Sequence, residues 1–175
     1  MNIRRATLFD LPGVERVYLE IHDAEEAGLI TTGWLRGVYP VRATAEAALQ
    51  RGDLFVMEEN NVIYGSALIN RIQVDVYADA PWEFEVPDNK VCVLHTLVIS
   101  QKVRGRGYGK QFVRFYEEYA LDHELPELRI DTNARNMRAR SMYAQLGYKE
   151  IAIVPTVFNG IPDVSLVLLE KNLEA

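Results

Sequence analysis

Three glycines alternate with basic and aromatic residues in one short segment, Arg104-Gly105-Arg106-Gly107-Tyr108-Gly109-Lys110. An apolar, β-branched run from Val91 to Ile99 precedes it and predicts a buried strand. Glycine lets backbone N–H groups approach an anion closely, and a helix N-terminus offers unpaired donors. The segment is therefore predicted to bind phosphate. A helix is predicted after it, because apolar residues recur there at helical spacing: Phe112, Phe115, Tyr116, Tyr119 and Ala120.

Two common phosphate-binding patterns do not match this segment. The Walker pattern, Gly-x-x-x-x-Gly-Lys-Ser/Thr, fails because its first glycine falls on Arg104 and its hydroxyl residue falls on Gln111. The dinucleotide pattern, Gly-x-Gly-x-x-Gly, fails because its last glycine falls on Lys110. Neither of these nucleotide classes is therefore predicted as the ligand.

A third pattern does fit, Arg-x-x-Gly-x-Gly, which follows a strand that carries Leu97-Val98-Ile99. A second segment further along the chain reads Asn136-x-x-Ala139-x-x-Met142-Tyr143-x-x-x-Gly147-Tyr148, within a predicted helix that ends at Gly147. The two motifs, in this order, closely resemble the GNAT superfamily of acetyl-CoA-dependent N-acetyltransferases. The resemblance covers about residues 91–148.

The resemblance implies a fold and a co-substrate. We expect one α/β domain over residues 1–175, a central mixed sheet of about seven strands flanked by about four helices. Acetyl-CoA is the expected co-substrate, and no metal is expected. In the family the strand before the phosphate loop diverges from its neighbour, so Leu97, Val98 and Ile99 are expected to hold pantetheine through main-chain groups. The expected phosphate-binding residues are Arg104, Gly105, Arg106, Gly107, Tyr108, Gly109 and Lys110.

Tyr143 is the candidate general acid. The resemblance places it where the family's tyrosine faces the thioester sulfur, and a phenol with an ordinary pKa of ~10 is protonated at neutral pH. A buried structural tyrosine is the alternative, because Ala139, Met142 and Leu146 form an apolar stripe beside it. Asn136 is expected either to contact coenzyme A, as in the family, or to cap the helix with its side chain.

His95 is the candidate general base. Many relatives carry glutamate two residues before the pantetheine-binding leucine, and here that position holds His95. An imidazole with a pKa of ~6.5 would give the pH–rate profile an acidic limb near neutrality. A core histidine is the alternative, because strand alternation puts His95 on one face with Val93 and Leu97. Cys92 would lie on the opposite face, so no thiol–imidazole pair is expected.

Composition is typical of an ordinary globular protein. The chain has 175 residues, of which 49% are hydrophobic and 25% charged, with a net charge of −6 that disfavours a general nucleic-acid binder. Basic residues gather without acids in residues 100–116 and 132–149, which suits an anionic cofactor. The sequence has no long apolar run and no signal-peptide core, so we expect no membrane span and a cytoplasmic location. The lone Cys92 excludes an internal disulfide.

The complete chain predicts the element order β-α-α-β-β-β-α-β-α-β-β. The first helix is predicted over residues 11–26 after the capping pattern Thr7-x-x-Asp10, and Thr44 is expected to cap a short helix over residues 45–51. Two hairpins complete the predicted sheet, one across Glu59-Asn60-Asn61 and one across Asn159-Gly160.

The acceptor site is expected in the least regular stretches, residues 29–41 and 73–89 and the Asn159-Gly160 hairpin. Residues 73–89 contain five acids and no base, which could attract a cationic amine, with Trp82 or Tyr77 packing on it. A solvated loop is the alternative for this stretch. The five acids are Asp75, Asp79, Glu83, Glu85 and Asp88.

Together these features predict an enzyme that transfers acetyl from acetyl-CoA to the primary amine of a small molecule by direct attack. A protein or peptide acetyltransferase, acting on N-termini or lysines, is the enzymatic alternative, because the sequence does not identify the amine. A non-catalytic acyl-CoA sensor is the alternative of another class. Homodimers are common in the family, but nothing in the sequence specifies a dimer surface.

Overall fold

Seven strands form one mixed sheet, flanked by four α-helices, in the computed structural model, which describes residues 1–175. This is the fold that the resemblance implies. The sheet order is β1-β2-β3-β4-β5-β7-β6. The strands are β1 (Asn2–Arg5), β2 (Leu54–Glu59), β3 (Val62–Asn70), β4 (Val91–Ile99), β5 (Glu127–Asn133), β6 (Lys149–Phe158) and β7 (Ile161–Asn172). The helices are α1 (Leu11–Glu26), α2 (Arg42–Arg51), α3 (Tyr108–Asp122) and α4 (Met137–Gln145).

The two central strands pair over only part of their length. β4 runs parallel to β5 from Val91 to Leu94, and the last matched pair is Leu94 with Ile130. Beyond that pair β4 stays bonded to β3, and β5 stays bonded to β7 as far as Asn133. The two strands therefore diverge, and we call the gap between residues 95–99 of β4 and residues 131–133 of β5 the split.

A β-bulge at Thr96 reverses the alternation of β4. Leu68 of β3 faces His95 and Ser66 faces Val98, so β4 has one extra residue between these pairs. Thr96 takes the left-handed conformation, with φ +51°, which is uncommon for a β-branched residue. Leu97 consequently packs on the side of Leu94, and Val98 lies in the core of the opposite face. The predicted face shared by His95 and Leu97 is therefore wrong, because regular alternation stops at the bulge.

Two helix pairs cover the two faces of the sheet. α1 buries Val14, Val17 and Tyr18 and shares its core with two alanines of α2. α3 buries Phe112 and Tyr116, among others, on the other face, where α4 also packs. Both α1 and α3 show the periodic apolar face on which their prediction rests.

The two helix starts on the first face differ in how well the sequence predicted them. Just before α1 the capping pattern is formed at the 3-10 turn Leu8–Asp10, where the N-cap Thr7 N–H donates to Asp10 Oδ2 at 2.7 Å. α2 begins at Arg42, three residues before the predicted start, with Val41 at the N-cap. Thr44 lies inside the first turn, where its Oγ1 accepts from the Val41 N–H at 3.1 Å. Thr44 therefore supports the helix start from within, and the prediction that it is the cap is wrong.

Both predicted hairpins are present, and they join β2 to β3 and β6 to β7. Residues 73–89 form an irregular connection between β3 and β4, in which short 3-10 turns lie at Asp75–Tyr77 and at Asp88–Lys90, just before β4. None of the helices is both long and apolar enough to cross a membrane.

The close approach of β3 to the end of β4 leads to a first prediction. A Cβ at Gly65 would lie 2.7 Å from Ile99 Cδ1 and 2.8 Å from the Val98 carbonyl oxygen. We expect Gly65→Ala to lower the free energy of unfolding by about 1–3 kcal/mol, because overpacking forces the backbone apart. The measurement is urea unfolding followed by circular dichroism. Val62→Thr, an exposed change on the same strand, is the control, and equal stability of both variants would contradict the prediction.

Candidate active site

Two cavities meet at the split. The larger, about 650 Å³, lies beside residues 104–110 and is called the loop cavity. The smaller, about 380 Å³, is walled by Trp34, Tyr39 and Phe158 and is called the aromatic cavity. Both volumes are typical of small-molecule sites. The residues that line both cavities are Thr32, Leu97, Asn136, Ala139 and Tyr143.

The loop before α3 has the backbone conformation of an anion site. Gly105 and Gly107 have φ values of +83° and +81°, which favour glycine, and Gly107 is the N-cap of α3. The amide N–H groups around this turn donate to no acceptor within the chain, so they are free to bind an anion. These groups belong to Gly105, Gly107, Tyr108, Gly109 and Lys110.

Three cationic side chains line the loop cavity, namely Arg104, Lys110 and Arg138. Lys110 Nζ also donates to Gln145 Oε1 at 2.6 Å. Burial lowers the pKa of Arg138, and the charge of Arg104 lowers it further, so the two guanidinium groups lie near each other. Such a pair favours an anion between or beside them. Arg138 lies in the acid-free basic segment over residues 132–149, where no sequence pattern distinguishes it from its basic neighbours.

Alternate residues at the end of β4 point their main-chain groups away from β3 and toward this cavity. The Ser100 N–H donates to the Tyr64 carbonyl at 2.7 Å, and Val98 faces Ser66 in the same register. Antiparallel pairs alternate between bonded and non-bonded, so the main-chain groups of Val98 point toward β3. Those of Leu97 and Ile99 point toward the split, and both residues line the loop cavity.

Most of the residues predicted to hold the cofactor line the loop cavity. Val98 and Arg106 do not. The Val98 side chain lies in the α1–α2 core, and the Arg106 N–H donates to the Val103 carbonyl at 3.3 Å. Free amides, nearby cations and an open strand edge together fit a diphosphate with an extended arm, as acetyl-CoA has.

Tyr143 lies where the two cavities meet. Its side chain is 5% exposed, and its ring packs edge-on against Tyr148 at 5.8 Å between centroids. Burial raises the pKa of Tyr143, and the charge of Asp131 raises it further. The phenol therefore stays protonated at neutral pH. Its hydroxyl makes no hydrogen bond within the chain, so its proton is free for a ligand in either cavity.

Asn136 caps a helix and also lies where it could contact a cofactor, the two roles considered for it from the sequence. Its Oδ1 accepts from the Ala139 N–H at 3.2 Å, which makes it the N-cap of α4. It also lines both cavities, so capping leaves its amide nitrogen near a ligand.

His95 points into the aromatic cavity from the first unpaired position of β4. Its Nε2 lies 3.0 Å from the Ile72 carbonyl and 3.2 Å from Asn70 Oδ1. Both partners accept, so Nε2 carries the proton and Nδ1 is left as the acceptor. Burial lowers the pKa of His95 to about 4, against a smaller opposing effect of the Ile72 carbonyl. An acidic limb caused by His95 would therefore lie near pH 4 and not near neutrality.

Asp131 is the charged residue of the aromatic cavity that the sequence analysis missed. It follows Ile130 on β5 as His95 follows Leu94 on β4, so the two residues face each other across the start of the split. Tyr77 donates to Asp131 Oδ2 at 2.8 Å. Burial raises the pKa of Asp131 to about 6, against the opposing effect of that hydrogen bond. No sequence signal distinguishes this aspartate from any other strand residue, because its role depends on the split.

The acidic stretch over residues 73–89 contributes no carboxylate to the aromatic cavity. Only Val74 of this stretch lines that cavity. Tyr77 packs beneath it, and the Trp82 Nε1–H donates to the Tyr77 carbonyl at 2.9 Å. Arg129 covers the Trp82 ring at 4.1 Å. The other two stretches expected at the acceptor site do line it, through Trp34 and Tyr39 and through Phe158 and Asn159.

Comparisons with known proteins agree with this geometry. The chain matches the acetyltransferase (GNAT) family over residues 18–148. It is 23% identical over 108 residues to a streptothricin acetyltransferase of Escherichia coli, and the match spans 62% of this chain and 59% of that protein. An acetyltransferase structure from Streptococcus agalactiae shares the fold, with a TM-score of 0.79, 23% identity and coverage of 98% and 94% of the two chains. A Salmonella typhimurium structure solved with its cofactor acetyl-CoA has a TM-score of 0.69, 18% identity and coverage of 100% and 95%.

The conformation of Gly107 gives the prediction for this site. A side chain there would strain a left-handed residue by about 1–2 kcal/mol and disturb the free amides of the loop. We expect Gly107→Ala to weaken coenzyme A binding about tenfold, measured by titration calorimetry. Gly37→Ala is the matched control, because Gly37 has φ +75°, open space around it and no place in the loop cavity. Equal losses of affinity in both variants would show that general strain, not the loop, is responsible.

Proposed function

We propose, for a chain that belongs to the acetyltransferase (GNAT) family, that the protein transfers acetyl from acetyl-CoA to the primary amine of a small molecule. The observation that carries the proposal is the meeting of two cavities at Tyr143. One cavity has the donors for a diphosphate, and the other is enclosed by aromatic side chains. A binding module would need only the first of these cavities.

The loop cavity supports a role in holding the co-substrate. Acetyl-CoA, when bound, supplies an acetyl thioester that an amine can attack. The free amides around Gly107, with Arg104 and Arg138, bind its phosphates. The main-chain groups of Leu97 and Ile99 then orient its arm along the split.

The aromatic cavity supports a small acceptor. Its walls come from the α1–α2 connection, from the β6–β7 hairpin and from both arms of the split, so it is closed on several sides. A cavity of about 380 Å³ suits a small acceptor better than a long peptide. The curated relative, a streptothricin acetyltransferase, is in keeping with this choice. A protein N-terminus or lysine remains the alternative acceptor.

The test is release of free thiol from acetyl-CoA with a panel of polyamines, amino acids, aminoglycosides and peptides. The proposal expects turnover with a small amine and little with peptides. Turnover confined to peptides would favour the alternative acceptor. Binding of acetyl-CoA without turnover of any amine would favour a sensor and overturn the enzymatic proposal.

Tyr143 is proposed as the general acid that protonates the departing sulfur. We expect Tyr143→Phe to lower kcat by about 10²-fold or more, while the Kd for acetyl-CoA stays within about twofold, because only the hydroxyl is lost. Steady-state kinetics and titration calorimetry measure the two effects. Tyr148→Phe is the matched control, since the Tyr148 hydroxyl is buried and without a hydrogen bond. An unchanged kcat in the first variant would end the assignment.

His95 is proposed as a base that accepts at Nδ1, directly or through water, the proton that the amine loses as the amide forms. Because its pKa lies near 4, we expect His95→Gln to leave any limb of the kcat/KM profile between about pH 5 and 8 in place. Glutamine can still donate to the Ile72 carbonyl, so the fold should be kept. The measurement is the pH dependence of kcat/KM for both proteins. A limb near neutrality that vanishes in the variant would mean that the imidazole titrates near its ordinary pKa.

A further inference from the structure

We infer that Asp131 binds the acceptor as an ammonium ion and takes the proton that the amine must lose before it attacks. The acceptor class is then a compact, cationic alkylamine. This inference rests on the proposed function and adds to it the chemical class of the acceptor and the residue that selects it.

The position of Asp131 suits a ligand in the aromatic cavity. Ile130 packs in the α3 core, so its neighbour Asp131 points to the other face of the sheet, where the cavity lies. Only one of its oxygens is occupied, since Oδ2 accepts from the Tyr77 hydroxyl at 2.8 Å and Oδ1 has no partner within the chain. Tyr77 therefore fixes the carboxylate and leaves one oxygen for the ligand.

No cationic side chain pairs with this carboxylate, and Arg129, two residues before it on β5, covers the Trp82 ring instead. Arg51 is the only other charged residue that lines the cavity, and its Nε donates to Asp53 Oδ2 at 2.8 Å. The remaining titratable groups near Asp131 are uncharged at neutral pH. They are Tyr77 after β3, Tyr143 of α4, Tyr39 of the α1–α2 connection and His95 of β4. An unpaired carboxylate away from bulk water is unfavourable, so a cationic ligand would be bound by it.

The walls of the cavity favour the same class of ligand. Trp34 and Tyr39 pack edge-on at 5.9 Å between centroids. Phe158, which belongs to the β6–β7 hairpin, also lines the cavity. Aromatic faces attract an alkylammonium group by cation–π interaction and pack on its carbon chain. The volume of about 380 Å³ limits the ligand to a compact molecule.

Asp131 is also the better proton acceptor of the two residues at the start of the split. Burial raises the pKa of Asp131 and lowers that of His95, and these opposite directions favour proton transfer to Asp131. An N–H bond of the ammonium breaks and an O–H bond forms on Asp131, which frees the nitrogen lone pair to form the amide bond. The carbon–sulfur bond breaks, and Tyr143 protonates the sulfur. The second N–H proton, lost as the amide forms, passes to His95 Nδ1 directly or through water, and the Tyr143 oxygen regains its proton from solvent.

Asp131→Asn tests the inference, because asparagine keeps an oxygen that can accept from Tyr77 and removes only the charge. For the best amine of the panel we expect kcat/KM to fall by at least about 10- to 100-fold, with coenzyme A affinity unchanged. Asp75→Asn, an exposed acid outside the cavity, is the control and should match the unaltered protein. An Asp131→Asn variant with unaltered kcat/KM would overturn the inference.

The pH profile adds a readout that a purely structural role would not move. Binding of an ammonium ion needs the ionised carboxylate, so kcat/KM should be full above the Asp131 pKa and fall as the pH drops through about 6. Tyr77→Phe removes the hydrogen bond that stabilises the ionised form, so the limb should move to higher pH. A limb that stays in place in Tyr77→Phe and is lost in His95→Gln would assign the proton to His95 instead.

Direct binding separates a failure of this inference from a failure of the proposed function. Ethylammonium chloride is titrated into the protein saturated with coenzyme A, and chemical shifts are followed by NMR. We expect binding by the unaltered protein and at least about tenfold weaker binding by Asp131→Asn. Binding that depends on Asp131 without turnover of any amine would overturn the enzymatic proposal but keep the cation site. Turnover of cationic amines with no dependence on Asp131 would keep the enzymatic proposal and overturn the cation site.

Discussion

Two parallel strands that stop pairing halfway along are the constraint on which this site depends. Past Leu94 and Ile130, the facing edges of β4 and β5 hold main-chain donors and acceptors that the sheet no longer satisfies. Buried backbone groups are almost always paired, so these edges require water or a ligand between them. The phosphate loop lies at the end of one arm, and Asp131 lies at the start of the other. The site is thus built around the missing hydrogen bonds of the sheet.

The bulge at Thr96 lets side chains of the single strand β4 line both the aromatic cavity and the loop cavity. Without the extra residue, His95 and Leu97 would point to one face. With it, the imidazole points into the aromatic cavity, and Leu97 turns toward the loop cavity and α3. The unusual backbone conformation of Thr96 is stabilised by a hydrogen bond between its Oγ1 and the Tyr39 hydroxyl. Local backbone strain of this kind is often found at functional sites.

The sequence predicted what depends on local pattern. The run Val91–Ile99 has the length and apolar content of a buried strand, and the structure gives it the same bounds. The glycines of the loop were identified because glycine lets backbone N–H groups approach an anion closely. Thr44 was misplaced because a threonine oxygen can support a helix start from the cap or from the first turn. The bulge left no signal, since Thr96 is an ordinary strand residue by type.

The acceptor side was harder to predict because it depends on tertiary packing. Charge drew attention to residues 73–89, but Tyr77 and Trp82 fold that stretch against β5 and its acids stay outside the cavity. Asp131 lies in a strand whose other residues pair normally, so only the divergence of β4 reveals it. Arg138 was missed for a related reason, because the basic segment that holds it does not show which side chain reaches the loop cavity.

The two cavities are separate but meet at the split, and this arrangement has a kinetic consequence for the proposed reaction. Each proposed reactant has its own cavity, so neither would have to leave before the other binds. The nitrogen and the thioester would then meet within one ternary complex beside Tyr143, which lines both cavities. Such a route needs no acetylated protein side chain as a relay, and initial-rate plots at varied levels of both reactants would intersect instead of running parallel.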